Sequence, residues 1–425
     1  MRLLVPLILA LGASAPAIAA DLAPTAKASV VTEGLSVARL DRVDKLIQGV
    51  IDSGAYLGAV TLISRHGKVV HARAYGNRDF ARKTRMQQDA IFRIYSMTKT
   101  VTTVALLMLM EDGKLSLDDP VSKFIPAFAD LKVFVGGTAE SPRSRMPKRP
   151  LTIRHLLTHT GGFATRGEND GVAGTLFNRI DLHQLPTLAA YTGYVAQQLL
   201  ANDPGDQFNY DGVSIEPVSR LIEVVSGMAF ESYLQQRILA PLKMHDTGFS
   251  VPISARARVA DMVTTTADGR LAFAATKDAV NPGEQLNPYP SGAGGLYSTA
   301  GDYWRFCQML LNGGSLDGVV ILGRKTVELM MMNHVAAVNI PEGALGKGEG
   351  FGLGGYVVVD AAQRGRPGSI GQFGWSGAGS THYTIDRQEK LIAMLLMQHL
   401  PQGLPNDPPK MSARFYNTVY QSLVH

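Results

Sequence analysis

The pair of residues best suited to covalent chemistry in this chain is a serine and a lysine three positions apart, Ser96 and Lys99. If a helix begins near Ser96, as the apolar residues after it predict, the two side chains lie one turn apart on the same face. A serine hydroxyl is a poor nucleophile at neutral pH and needs an adjacent base. Lysine can be that base only when uncharged, and both burial and the positive end of a helix favour loss of its proton. A Ser-x-x-Lys string arises by chance about once in a chain of this length, so other residues must support it.

Two further stretches carry groups that could assist such a serine. Tyr210 follows a proline–glycine turn, and a phenol near a lysine can share proton transfer as general base and later as general acid. Taken alone, a packed tyrosine bonded to backbone is the commoner explanation. The glycine-rich stretch 374–380 could bring a strand close to a substrate, where a backbone N–H could form an oxyanion hole with the N–H of Ser96. A glycine-rich turn before an edge strand is the alternative.

Other catalytic designs find less support. His155 and His159 are one turn apart in a predicted helix from Leu151 to His159, but no acidic residue is arranged as in His-Glu-x-x-His. The sequence therefore predicts a helix end packed under the site, and neither a metal nor another cofactor. An α/β-hydrolase would place its serine in Gly-x-Ser-x-Gly after a strand. That string is absent, and its nearest match, around Ser376, precedes a predicted strand, so Ser376 is not predicted to be the nucleophile.

Composition narrows the class of protein. The chain has 425 residues, 45% hydrophobic and 18% charged, which is enough for a large core. The net charge of +5 is modest and the basic residues are dispersed, apart from a proline-containing cluster at 143–149. Because nucleic-acid binding calls for a concentrated basic stripe with aromatic platforms, no nucleic-acid partner is predicted. The single cysteine, Cys307, excludes an internal disulfide and is predicted to be buried in a helix.

The N-terminus has the pattern of an export signal. Arg2 provides the positive end, an apolar run follows, and Ala17-Ile18-Ala19 provides a small-x-small cleavage site, so residues 1–19 are predicted to be a signal peptide. A membrane anchor is the alternative, but the apolar run is too short to span a bilayer. Residues 20–35 are predicted to be a flexible leader. The prediction is an exported protein, in a bacterial periplasm or secreted, without stable membrane insertion after signal removal.

Strand patterns at both ends of the chain and helical patterns between them predict the architecture. Predicted helices span 36–53, 96–110, 151–159, 217–227 and 411–423, and predicted strands span 59–64, 69–75, 352–359, 380–385 and 391–398. These elements predict an α/β (α+β) fold in which residues 36–112 and 291–425 form an antiparallel sheet flanked by helices. A mostly helical domain, 113–290, is inserted and leaves a cleft between the two parts.

Several stretches occur together in an order that resembles a known superfamily. They are Ser96-Met97-Thr98-Lys99, 156–162, Tyr210, 294–302 and the segment around Trp375. Together they resemble the serine beta-lactamase and penicillin-binding-protein superfamily in its class C-like branch, and most closely the family VIII carboxylesterases. The resemblance runs from about residue 37 to the C-terminus, and motifs in order are far more specific than any one of them.

The resemblance implies a beta-lactamase-like fold and a role for each site residue. Ser96 would be the acylated nucleophile, and Lys99 and Tyr210 would deprotonate it and then activate the hydrolytic water. The N–H groups of Ser96 and Ala378 would form the oxyanion hole. Trp375-Ser376-Gly377 would contact the substrate.

Two departures from the family pattern bear on the substrate. Class C beta-lactamases carry Tyr-x-Asn, whereas the third residue here is Gly212. They also carry Lys-Thr-Gly, whose lysine attracts the substrate carboxylate, whereas this chain has Trp375 there, as family VIII esterases do. Loss of a charge-assisted contact costs on the order of 1.5–3 kcal/mol of anion recognition. The sequence thus favours neutral esters over penicillin-like anions.

The resulting prediction is an exported serine ester hydrolase whose partner is a small-molecule ester with a short to medium acyl chain. A beta-lactamase or D-amino-acid peptidase or transpeptidase activity at the same site stays open as an alternative. A non-catalytic, penicillin-binding-like sensor is a third, against which the combination of Ser96, Lys99 and Tyr210 speaks. The sequence sets neither the natural substrate nor the oligomeric state.

Overall fold

A seven-stranded antiparallel sheet lies at the centre of the computed structural model, which describes residues 31–424. Its strands in chain order are β1 (Gly58–Arg65), β2 (Lys68–Gly76), β3 (Glu349–Phe351), β4 (Tyr356–Val358), β5 (Phe373–Gly377), β6 (Thr381–Asp386) and β7 (Leu391–Leu396). Across the sheet the order is β3-β4-β5-β6-β7-β1-β2, so the two N-terminal strands join the sheet beside its last C-terminal strand. Every residue of β1, β6 and β7 is buried, which indicates that helices cover both faces.

Helices from both ends of the chain cover the sheet. The α-helices in residues 31–424 are α1 (Val37–Asp52), α2 (Thr98–Glu111), α3 (Ile153–Leu157), α4 (Gly171–Phe177), α5 (Leu188–Ala196), α6 (Ile215–Ser226), α7 (Phe230–Leu234), α8 (Lys277–Val280), α9 (Ala300–Leu311), α10 (Arg324–Met330), α11 (Ala361–Arg364) and α12 (Ser412–Tyr420). Strand β7 alternates between the two faces. Leu391 and Leu395 pack with α1 and α12, whereas Ile392 and Met394 join the larger cluster that contains α2 and α9.

The larger cluster continues from the sheet into the helical part of the chain. Helix α2 is buried along nearly its whole length and packs against α6, so it lies at the junction of the two parts. The remaining strands form smaller sheets. They consist of Val31–Thr32 with Leu35–Ser36; Phe92–Arg93 with Tyr297–Ser298; Ser315–Leu316 with Val319–Val320; Lys132–Gly137 with Pro142–Arg145 and Leu199–Leu200; and Val263–Thr265 with Leu271–Phe273 and His399–Leu400.

The predicted fold class is confirmed, and so are the first helix and first two strands within about two residues at each end. Cys307 is buried in α9 as predicted. The division into residues 36–112 with 291–425, and 113–290, stays a prediction. The predicted signal peptide lies outside the described residues, and the last part of the predicted leader, 31–35, forms strand pairs with Leu35 buried. None of the helices within residues 31–424 combines the length and apolarity needed to cross a membrane.

Some predicted bounds are wrong for local reasons. The long helix begins at Thr98, and Ser96 lies two residues earlier, in a 3-10 turn over Tyr95–Met97. The helix predicted to end at His159 already ends at Leu157, and His159 has φ of 54°, so it does not continue the face of His155. The strand predicted over 352–359 is only β4, because the chain first turns at Gly354, with φ of +81°.

The structure decides between the strand and the turn that the sequence left open around Trp375. The segment is itself strand β5, third from one edge of the sheet, and not a turn before an edge strand. Its residues pair with β4 on one side and β6 on the other, so its backbone is held along its length.

Candidate active site

The Ser96 and Lys99 side chains lie together at the start of α2. Lys99 Nζ donates hydrogen bonds to Ser96 Oγ over 3.1 Å and to the Ala293 carbonyl oxygen over 2.7 Å. Lys99 is only 3% exposed, whereas Ser96 is half-buried and lines two cavities. The serine is thus open to small molecules, and the lysine, although it borders the larger of these cavities, is almost fully buried. A neutral Lys99 amine could keep its bond to Ala293 and use its lone pair to accept the Ser96 proton.

The backbone around Ser96 is held in a strained, closely packed form. Tyr95, the residue before it, has φ of 42°, a left-handed conformation that a tyrosine rarely adopts. Strand β5 lies directly against this segment, because a Cβ at Gly377 would come within 2.2 Å of the Ile94 carbonyl oxygen. This close approach brings Ala378, the exposed residue after β5, to the same two cavities as Ser96. Only glycine at 377 permits that approach.

Tyr210 lies between Lys99 and Trp375. Lys99 Nζ is 5.2 Å from the centre of the Tyr210 ring, and Trp375 Nε1 donates a hydrogen bond of 3.1 Å to the Tyr210 hydroxyl oxygen. The two aromatic rings are 4.9 Å apart at a tilt of 52°. The structure therefore brings together every side chain that the resemblance assigned to proton transfer. It also adds a partner for Tyr210 that sequence reasoning did not foresee.

Glu216 is a second residue that sequence reasoning missed. Its fully buried carboxylate accepts hydrogen bonds from Ser291 Oγ over 2.5 Å and from the Gly292 N–H over 3.1 Å. It thereby supports the loop whose Ala293 carbonyl holds Lys99. Burial raises the pKa of Glu216 to about 7, and the nearby charge of Lys99 opposes that rise. The sequence does show this acidic residue next to the apolar face of a helix. The helix predicted over 217–227, however, began one residue too late to include Glu216.

His159 and Asp211 form a buried layer beneath Tyr210. The His159 ring lies 4.7 Å from that of Tyr210, and His159 Nδ1 is 3.7 Å from Asp211 Oδ1. Burial lowers the pKa of His159, so it is uncharged at neutral pH. The segment thus packs under the site, as predicted. Within residues 31–424, no group of three or more His, Cys, Asp or Glu residues is arranged to hold a metal ion.

Two cavities meet at Ser96, Tyr210 and Ala378. The larger has a volume of about 1090 Å³ and extends over the helical part of the chain, where Phe177 and Leu286 are among its apolar walls. The smaller, of about 390 Å³, lies along β5 and reaches the start of α12; its lining includes Trp375, Ser376 and Gly377. A substrate carbonyl at Ser96 would therefore have room on both sides. This arrangement suits a reaction that splits one bond between two groups.

Comparison with known proteins places this arrangement in a family. The model of the family described as Beta-lactamase matches residues 43–412, which is most of the chain. The chain belongs to the beta-lactamase family. This confirms the superfamily and the fold that the motifs predicted.

The chain is similar to proteins with a named activity and to one without. Protein Rv1367c of Mycobacterium tuberculosis is 33% identical over 370 residues, covering 85% of this chain and 90% of that protein. Esterase EstB of Burkholderia gladioli is 27% identical over 390 residues, covering 85% of this chain and 91% of EstB. A solved structure, EstCE1, described as a hydrolase with promiscuous acyltransferase activity, superimposes with a TM-score of 0.73 at 26% identity, covering 91% and 99% of the two chains. Two of these three proteins are described as an esterase and a hydrolase, in agreement with the branch that the motifs predicted.

Proposed function

We propose that this member of the beta-lactamase family is an exported serine hydrolase that cleaves carboxylic esters with short to medium acyl chains. The observation that carries the proposal is the contact between Trp375 and Tyr210, since an indole occupies the place where beta-lactamases put a cation. An apolar ring beside the nucleophile suits the acyl or alcohol group of an ester. The esterase relatives support the same reaction class.

In the proposed reaction, the Ser96 oxygen bonds to the ester carbonyl carbon while its proton moves to Lys99. The carbonyl oxygen becomes negative and accepts hydrogen bonds from the N–H groups of Ser96 and Ala378. When the tetrahedral intermediate collapses, the bond to the alcohol oxygen breaks, and that oxygen takes a proton from Lys99 by way of Tyr210. No metal or other cofactor takes part.

In the second half of the reaction, water hydrolyses the acyl-enzyme with the help of the same residues. Lys99 and Tyr210 take a proton from a water molecule as its oxygen bonds to the acyl carbon. The bond from that carbon to the Ser96 oxygen then breaks, and this oxygen takes up the proton that Lys99 and Tyr210 received from the water. The acid product leaves, and the enzyme returns to its starting protonation state.

A second candidate is hydrolysis of a beta-lactam or of a D-amino-acid peptide at the same serine. A putative D-alanyl-D-alanine carboxypeptidase of Escherichia coli K12 is 27% identical over 422 residues, covering 91% of this chain and 90% of that protein. Against it stands Gly212, which is exposed; a Cβ there would have Ala293 as its nearest neighbour, at 4.0 Å. The chain therefore presents no side-chain amide at this position to hold a lactam side chain.

Two measurements test the proposal. A fluorophosphonate probe is expected to label the wild-type protein and the Ser53→Ala control but not Ser96→Ala; no labelling of the wild type would favour a non-catalytic binding protein. Turnover of p-nitrophenyl esters from acetate to octanoate is then compared with that of a chromogenic cephalosporin. Equal rates on the cephalosporin and on the short esters would overturn the ranking of the two candidates.

A further inference from the structure

The smaller cavity beside Ser96 has an excess of positive charge. Among the charged side chains that line it are Arg366, from the loop before β5, and Lys410, just before α12. The one carboxylate in the lining is that of Glu349. None of the three belongs to the serine–lysine–tyrosine site, and the two cations come from separate parts of the chain.

The charge of Glu349 is already shared between two arginines. Arg364 Nε and Arg366 Nη2 donate to the same oxygen, Glu349 Oε1, over 2.9 and 2.8 Å. One carboxylate and two guanidinium groups leave one positive charge in this cluster. The Arg364 side chain is 2% exposed, and its Nη2 and the Nε of Arg366 are buried without a hydrogen-bond partner among the described residues. The Arg366 side chain is 23% exposed and lines the cavity, so the positive charge that Glu349 does not neutralise can attract an anion there.

Lys410 adds a second positive charge at the mouth of the cavity. It is exposed and forms no ion pair with any carboxylate whose side chain the structure describes, whereas many other surface cations of the chain do. The neighbouring His382 is buried, which lowers its pKa to about 4, so it is neutral at neutral pH. Hydroxyl groups of Ser376 and Ser412 also line the cavity and can donate hydrogen bonds.

We propose that Arg366 and Lys410 bind a carboxylate carried by the substrate, so that the preferred esters have a second, ionised carboxyl group on one side of the scissile bond. The proposal rests on the proposed ester hydrolysis and corrects one expectation within it. The sequence favoured neutral esters because Trp375 replaces a lysine. The fold nevertheless brings two cations to the same cavity, one from the loop before β5 and one from the residues just before α12. A guanidinium and an ammonium group beside hydroxyl donors suit a carboxylate.

Two ester pairs, each differing in one carboxylate, test the proposal by turnover. Mono-4-nitrophenyl glutarate is compared with 4-nitrophenyl pentanoate for the acyl side, and 4-acetoxybenzoate with phenyl acetate for the alcohol side. In at least one pair, kcat/KM of the wild type is expected to be higher for the ionised ester. The ratio of kcat/KM for the ionised ester to kcat/KM for the neutral ester should fall about threefold in Lys410→Gln, an exposed site, and about tenfold in Arg366→Gln.

The control is Lys45→Gln, an exposed lysine on α1, which should keep the wild-type ratio. Added salt should reduce the preference, because exposed charges are screened. A ratio of one in the wild type for both pairs, or a preference that survives both substitutions, would overturn the proposal. Lys410→Gln keeps the test valid if Arg366→Gln fails to fold, since Lys410 contacts solvent.

A binding measurement separates this proposal from ester hydrolysis itself. Ligand-observed NMR with 4-hydroxybenzoate and its neutral analogue 4-hydroxybenzamide reports on binding in the smaller cavity of the Ser96→Ala protein and needs no turnover. Preferential binding of the carboxylate, reduced by Lys410→Gln, would support the carboxylate site even if no ester were hydrolysed. Equal or absent binding of both compounds, with neutral esters hydrolysed, would refute the carboxylate site and leave the proposed function standing.

Discussion

Trp375 donates a hydrogen bond from its indole nitrogen to the hydroxyl oxygen of Tyr210 over 3.1 Å. This contact ties the strand that borders the substrate cavities to the phenol proposed to move protons. The tryptophan therefore provides a hydrogen-bond donor as well as an apolar surface, and we expect the bond to orient the Tyr210 hydroxyl.

Substitution of Trp375 by phenylalanine removes this donor and keeps an aromatic surface. We expect kcat on p-nitrophenyl butyrate to fall about fivefold, since one neutral hydrogen bond is worth about 1 kcal/mol, with a smaller change in KM. The chain has one other tryptophan, Trp304, whose Nε1 donates to Ser64 Oγ away from Ser96. Trp304→Phe is therefore a matched control and should leave kcat unchanged. A Trp375→Phe enzyme with wild-type kcat would show that the hydrogen bond does not orient Tyr210.

Removal of either proton-transfer group should be far more damaging. Lys99→Ala and Tyr210→Phe are each expected to lower kcat by two decades or more, because general acid–base help is worth about 10²–10⁴. Steady-state kinetics on a p-nitrophenyl ester measure this. Tyr56→Phe, which loses a hydroxyl bonded to the Pro409 carbonyl, serves as the control for the tyrosine. If Tyr210→Phe keeps most of its activity, the role proposed for the phenol is wrong.

A methyl group at Gly377 should separate β5 from the segment that precedes Ser96. The added Cβ would lie 2.2 Å from the Ile94 carbonyl oxygen and 2.4 Å from Thr381 Oγ1, so the backbone must shift. Because Ala378 then moves away from Ser96, Gly377→Ala is expected to lower kcat by about 10²–10³, the usual effect of losing one oxyanion donor.

A glycine without close neighbours provides the control for Gly377→Ala. It separates the loss of the close approach at residue 377 from any general effect of replacing a glycine by alanine. A Cβ at Gly193, in α5, meets nothing within 4 Å, so Gly193→Ala should keep activity. Circular dichroism on both variants checks that they are folded. Gly377→Ala with normal kcat would mean that the N–H of Ala378 does not stabilise the oxyanion.

Protonation of Glu216 should make the protein more stable in mild acid. Burial raises its pKa from 4.5 to about 7, so the folded protein holds this proton more tightly than the unfolded chain does. The contribution of Glu216 to the free energy of unfolding is therefore complete below about pH 4.5 and is lost as the pH rises to about 7. Across that window the loss is about 3 kcal/mol.

Urea unfolding at several pH values measures this dependence. Glu216→Gln should flatten the pH profile in that window, whereas Glu231→Gln, at an exposed site on α7, should retain the wild-type profile. An unchanged slope in Glu216→Gln would show that Glu216 is ionised in the folded protein throughout the window. Retained ester hydrolysis in Glu216→Gln would indicate that the Ser291–Ala293 loop holds Lys99 without help from the carboxylate.

The sequence alone predicted the fold class, the serine–lysine pair and the family, because these depend on local periodicity and on motifs whose spacing is set within single elements. It could not predict that Ser96 precedes the helix in a 3-10 turn after a strained Tyr95, since strand β5, which packs against this segment, comes from a distant part of the chain. It also left open whether the Trp375 segment is a turn or a strand, because that depends on its neighbours in the sheet.

The composition of the substrate site was decided by tertiary structure. Ser96 and Lys99 are neighbours on one turn, and the sequence showed that pair correctly. Glu216 supports Lys99 through a loop more than seventy residues away in sequence, and Arg366 and Lys410 reach one cavity from separate segments. The sequence motif shows that Trp375 stands where related enzymes carry a lysine. Only the fold shows that Arg366 and Lys410, which are distant in the sequence, bring positive charge to the same cavity.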